Sequence, residues 1–117
     1  MLKKVILILL FLVVSVDATD YMLVVDVENL KSNGKNWDVG GNAPDILIKL
    51  NRESLPLSSD CKNEYRCIME FSSEDKDWYI EIFDKDLRAD DIIGRGNCAV
   101  DETCKLGQAK IKIVRKW

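Results

Sequence analysis

The sequence predicts an all-β protein, an antiparallel β-sandwich, and three observations carry that reading. First, no segment after Ala18 sustains a helical period; apolar side chains recur at every second position over short stretches. Second, Asn, Gly, Ser, Asp and Pro gather between those stretches, where chain reversals need them. Third, the chain has 117 residues with no internal repeat or low-complexity tract, which fits one small domain with a modest core. Six to eight strands with turns between them favour two packed antiparallel sheets.

The elements follow in order. Met1 to Lys4 is a short basic segment, followed by the ten-residue apolar run Val5 to Val14 and then Ser15-Val16-Asp17-Ala18. This pattern predicts a signal peptide over residues 1–18 and a secreted protein, extracellular or periplasmic. The run is shorter than the roughly 20 residues a membrane-spanning helix needs. The domain is then expected over 19–117.

Tyr21, Leu23, Val25 and Val27 share one face of a first strand, with Asp26 and Glu28 opposite. Lys31 to Asn36 is a polar turn, and Trp37 to Asp45 a second loop containing Gly40-Gly41. Ile46, Ile48 and Leu50 mark the next strand. A weaker strand is expected around Leu55 to Leu57, broken by Pro56 and placed near an edge. Cys67, Met69 and Phe71 face one way, while Arg66, Ile68 and Glu70 face the other. After the charged turn Ser72 to Asp77, Trp78, Ile80 and Ile82 form one face of a half-buried strand. Beyond Gly94-Arg95-Gly96 a disulfide loop is expected, and Ala109, Ile111 and Ile113 alternate with Lys110 and Lys112 in the last strand.

Composition narrows the function. Without residues 1–18 the chain keeps 99 residues with 15 basic and 19 acidic side chains. There is no basic stripe, so nucleic acid is not expected as a partner. The chain contains no histidine, which removes Ser-His-Asp and Cys-His catalysis and histidine-liganded zinc. The protein is therefore not expected to be an enzyme. The four cysteines form two C-x5-C loops, Cys61 to Cys67 and Cys98 to Cys104. In a secreted chain they read as two disulfides with three possible pairings, the local one being preferred. Loops this short remove on the order of 2 kcal/mol of chain entropy each.

The chemistry concentrates in acidic loops. Asp84, Asp86, Asp90 and Asp91 fall within eight positions directly after the Trp78 strand, and Asp38 and Asp45 flank the loop before the Ile46 strand. Carboxylates crowded this closely repel unless water or a cation offsets them. Calcium takes six to eight oxygen ligands and tolerates irregular geometry. Oxygen ligands without histidine or thiolate favour calcium over zinc or copper. A helix-loop-helix calcium loop starting at Asp84 fails, because Arg88, Ala89 and Arg95 stand at its fifth, sixth and twelfth positions.

Ile82-Phe83-Asp84-Lys85-Asp86, then four residues, then Asp91-Ile92-Ile93-Gly94 resembles the third calcium-binding loop of C2 domains, commonly V-x-D-x-D…D-D-x-I-G. Trp37-Asp38-Val39-Gly40-Gly41-Asn42-Ala43-Pro44-Asp45 and the strand after it resemble the first loop of the same family, commonly D-x-x-G-x-S-D-P-Y-V-K-V. The resemblance covers essentially all of residues 19–117. It implies an eight-stranded C2-like β-sandwich, with calcium as cofactor and a phospholipid surface or a protein as partner.

Carried over residue by residue, Asp38 and Asp45 match the first loop's ligands, and Asp84, Asp86 and Asp91 the third's. Carbonyls of Trp37 and Lys85 are implied as further ligands, and Val39 and Leu87 as membrane contacts at the loop tips. Loop one is one residue longer than the pattern and loop three one shorter, so Asp90 is an alternative to Asp91. Pro44 precedes Asp45 rather than following it. The resemblance also puts Cys61 to Cys67 at the second loop of the calcium end and Cys98 to Cys104 at the opposite end, which strengthens the local pairing.

Simpler readings stand beside these. Aspartates cap turns in β-proteins without binding metal, and single apolar residues at loop tips are ordinary. Trp37 and Tyr65 are read as packing near the first disulfide loop rather than as partner contacts. The alternative function is a metal-independent secreted interaction domain with a degenerate calcium site. A hydrolase using paired carboxylates would need a cleft, and the sequence marks none.

Overall fold

The computed structural model describes residues 18–29, 31, 34–35, 43–56, 61–85 and 91–116. Eight strands occur among them: β1 (Thr19–Val27), β2 (Ile46–Leu50), β3 (Glu53–Ser54), β4 (Arg66–Ser73), β5 (Asp77–Asp84), β6 (Asp91–Ala99), β7 (Thr103–Leu106) and β8 (Ala109–Arg115). They form two antiparallel four-stranded sheets, in the orders β4-β1-β8-β7 and β3-β2-β5-β6. The apolar positions expected from the alternation are the buried ones. Leu23, Val25, Ile46, Ile48, Ile80, Ile82, Ile111 and Ile113 are fully enclosed and form one core contributed by both sheets. Burying a side chain of this kind removes about 1.5–3 kcal/mol of unfavourable hydration.

At one end of the core Tyr21, Phe71 and Trp78 cluster. Tyr21 stacks on Phe71 at 5.4 Å between centroids, and Trp78 meets both rings edge-on at 4.9 and 5.3 Å. The polar atoms of the cluster are satisfied, since Trp78 Nε1 donates to Ser73 Oγ and the Tyr21 hydroxyl to the Asp75 carbonyl. Trp78 is thus core, as its place in the alternation predicts.

Three expectations change. Of the edge strand expected around Leu55 to Leu57, Leu55 and Pro56 are outside any strand and Leu57 lies outside the described residues; the edge strand found here is Glu53–Ser54. Asn51 and Arg52 both take positive φ, 48° and 71°, and fold Glu53 back onto Leu50 in a two-residue turn. Ile92 to Gly96, which the alternation assigned to no element, and the start of the expected disulfide loop belong to a nine-residue strand, Asp91–Ala99. Thr103–Leu106, inside and just past the second disulfide loop, is a strand as well.

The two sheets meet along β6 and β7. Gly94 lies so close to β7 that a β-carbon there would stand 1.8 Å from the Leu106 carbonyl oxygen. Gln108 N donates to the Ile93 carbonyl across the same junction at 3.0 Å. The pairing of the cysteines is local. Cys98–Cys104, with Cα atoms 5.9 Å apart, ties β6 of one sheet to β7 of the other. Cys61–Cys67, 4.9 Å apart, closes the loop that leads into β4. Residues 1–17 of the expected signal peptide lie outside the described residues.

Candidate metal centre

Register brings the acidic residues of the second sheet to one end. Ile46, the first residue of β2, pairs with Asp84, the last of β5, and Asp84 pairs with Asp91, the first of β6. Asp45, Asp84 and Asp91 therefore sit on three neighbouring strand ends. The Cys61–Cys67 loop lies at the same end, since Asn63 N donates to Asp45 Oδ1 at 2.7 Å and Glu64 N to the Pro44 carbonyl at 3.0 Å. Cys98 pairs with Trp78 near the start of β5, towards the other end of the sheet.

Asp84 takes an inward slot. It continues the phase of Trp78, Ile80 and Ile82 by the two-residue period of the strand and is completely buried. It is the buried charged side chain among the described residues. Enclosing a carboxylate is costly unless hydrogen bonds or a cation offset the lost hydration. Part of that offset comes from Asp45, whose backbone N–H donates to Asp84 Oδ1 at 3.0 Å. The return contact, from the Lys85 N–H to the Asp45 carbonyl at 2.9 Å, locks the β2 and β5 ends together.

A bulge aims Asp91. Between Ile82 and Phe83 the pairing of β6 slips, so that Ile82 faces Gly94 while Phe83 faces Ile92. The extra residue, Ile93, moves the phase of β6 by one position. Ile93 turns inward, Ile92 outward, and Asp91 comes to lie opposite Asp84. Like charges directly opposite each other across a ladder are unfavourable. The chain supplies one offset itself: Lys31 Nζ lies 2.8 Å from Asp91 Oδ2.

The register therefore brings Asp45, Asp84 and Asp91 together at one end of a sheet, while Asp38, Asp86 and Asp90 lie outside the described residues, as do Trp37, Val39 and Leu87. Among the described residues no group of three or more acidic, Cys or His side chains is drawn into a metal-holding arrangement. The donor type nonetheless suits a hard cation: all side-chain donors are carboxylate oxygens, and the Lys85 carbonyl lies on the same strand end. Asp45, Asp84 and Asp91 share one end of the sheet, and a cation there would need further oxygens beyond theirs. Tyr65 is half-buried and packs on the core beside the disulfide loop, as expected.

Lys31 is the residue the sequence did not announce. It lies 60 positions from Asp91 in a polar turn, with no periodicity or motif linking the two. A separate 320 Å³ cleft opens between the β3 and β4 edges beside Phe71 and Trp78, with Glu53 and Asp75 at its rim. It is lined from the start of β5, away from the carboxylate end. No protein-family model matches this chain, and no curated protein matches it either.

Proposed function

We propose that the protein is a secreted calcium-binding module of the C2 type, whose acidic end engages a phospholipid surface or a protein partner when calcium is bound. In this reading it has no catalytic role. The observation that carries the proposal is the gathering of Asp45, Asp84 and Asp91 at one end of the β2-β5-β6 ladder. The C2 resemblance locates two calcium loops at that end, and Asp38 and Asp86 complete its ligand set, with Asp90 as the alternative to Asp91. Two disulfides are compatible with an extracellular location. Extracellular calcium modules work with dissociation constants of about 0.1–1 mM.

Thermal unfolding in chelator and in calcium tests the proposal. For a dissociation constant of about 0.1 mM, about 1 mM calcium adds roughly 1.4 kcal/mol of stability. That corresponds to a rise in Tm of about 6–11 °C for a domain of this size. The double variant Asp84→Asn, Asp86→Asn removes the rise. Co-sedimentation with anionic vesicles, with and without calcium, separates a lipid from a protein partner.

One observation favours the second reading, a metal-independent interaction domain. Each described carboxylate already accepts from the chain: Asp45 from Asn63, Asp84 from Asp45, and Asp91 from Lys31. Under that reading Tm is the same in chelator and in calcium, and partner capture ignores calcium.

A further inference from the structure

We infer that Lys31 is a tethered counter-cation that competes with calcium for Asp91 and so sets the calcium concentration at which the site fills. The inference rests on the calcium reading above and deepens it. Lys31 Nζ stands 2.8 Å from Asp91 Oδ2, and the lysine side chain is only 25% exposed. Its backbone is fixed, since Gly34 N donates to the Lys31 carbonyl at 2.9 Å and Lys31 N to the Lys35 carbonyl at 2.8 Å. The ammonium is thus delivered from a closed turn rather than from a free-swinging loop.

The charge arrangement explains why a cation belongs there. Asp91 faces the buried Asp84 directly across β5 and β6. Without a neighbouring positive charge, two ionised carboxylates would oppose each other at a strand end. A lysine supplies one charge through N–H donors, whereas calcium supplies two and demands oxygens on all sides. Lys31 Nζ stands on Asp91 Oδ2, so a calcium ion at Asp91 must either displace the ammonium or lie beside it on the other carboxylate oxygen. The broken contact in the one case, or the repulsion between the two cations in the other, is subtracted from the binding free energy. The lysine also keeps the acidic end assembled at low calcium.

Calcium titration of the full chain carrying Lys31→Met, together with unfolding in chelator, tests this. The expected result is a loss of stability without calcium together with a gain in calcium affinity. Tm in chelator falls, because the carboxylates lose their counter-charge. The calcium dissociation constant also falls, by about fivefold for a half-shielded ion pair. A merely structural lysine would lower Tm without tightening calcium. Lys62→Met removes a unit charge from the exposed Cys61–Cys67 loop at the same end and is expected to change the affinity far less; an equal effect from it would reduce the result to generic charge and overturn the inference.

Equal affinities for wild type and Lys31→Met overturn the inference while leaving the calcium reading in place. No binding by either chain at about 10 mM calcium overturns both. In the wild-type chain, which needs no variant to fold, the Lys31 ammonium resonance should shift with the same saturation curve as the titration. A resonance indifferent to saturating calcium overturns the inference as well.

Discussion

Gly94→Ala probes the junction on which both sheets depend. A β-carbon at position 94 would lie 1.8 Å from the Leu106 carbonyl oxygen and 2.4 Å from its carbon, where ordinary contact begins at 3.4 Å. Both atoms are backbone, so no side chain can swing aside. The turn after β7 is tight as well, because a β-carbon on Gly107 would stand 2.4 Å from the Ile93 carbonyl oxygen. To admit the methyl group, β6 and β7 must separate by more than an ångström, which breaks the Gln108–Ile93 hydrogen bond. Overpacking of about 1–3 kcal/mol and a lost bond of about 1 kcal/mol combine to roughly 3 kcal/mol. For a domain of this size that lowers Tm by about 12–24 °C. Circular-dichroism melting in chelator reads the effect free of calcium. Gly34→Ala is the comparator: its φ is 78° but nothing lies within 4 Å of the added carbon, so only the backbone penalty of about 1 kcal/mol applies. A Gly94→Ala melt within about 3 °C of wild type would refute the account of the junction.

Two further outcomes follow from the same frame. Replacing Cys98 and Cys104 together by serine frees the β6 and β7 edges and should cost about 2 kcal/mol, read as a lowered denaturant midpoint. An unchanged midpoint would mean that the backbone junction alone holds the sheets. Glu28 accepts from Lys105 Nζ at 2.6 Å, and that hydrogen bond, followed by the lysine's charge, holds its carboxyl below the ordinary 4.5. A depressed folded-state value means stability present above pH 4.5 and lost as the pH falls through it. The Tm difference between wild type and Glu28→Gln should therefore shrink from pH 7 to about pH 3, and also in high salt, because the pair is exposed.

The core was legible because period-2 burial leaves a direct mark on the sequence. Tyr21 to Val27, Ile46 to Leu50, Trp78 to Ile82 and Ala109 to Ile113 alternate in writing as they do in the sheets. β6 was not legible, since the bulge at Ile93 resets its phase midway and Gly94 and Gly96 offer no side chain to read. Both glycines are set by the closeness of β7, a contact between chain segments that no local window contains. β3 escaped notice for a different cause: Glu53 and Ser54 are exposed, and backbone pairing after a tight turn is all that makes them a strand.

Of the candidate site, the grouping of Asp84 with Asp91 was visible as a run of charge. Asp84's enclosure follows from its phase with Trp78, Ile80 and Ile82. Asp91's place opposite it depends on the bulge, which choosing between neighbouring aspartates by motif could not supply. The Lys31 contact depends wholly on tertiary placement.

Calorimetric titration of the chelator-treated chain with calcium addresses the central claim most directly. The account predicts saturable binding with a dissociation constant of about 0.1–1 mM, lost in Asp84→Asn. Absence of saturable binding up to about 10 mM calcium, or binding that persists unchanged in Asp84→Asn, would contradict it.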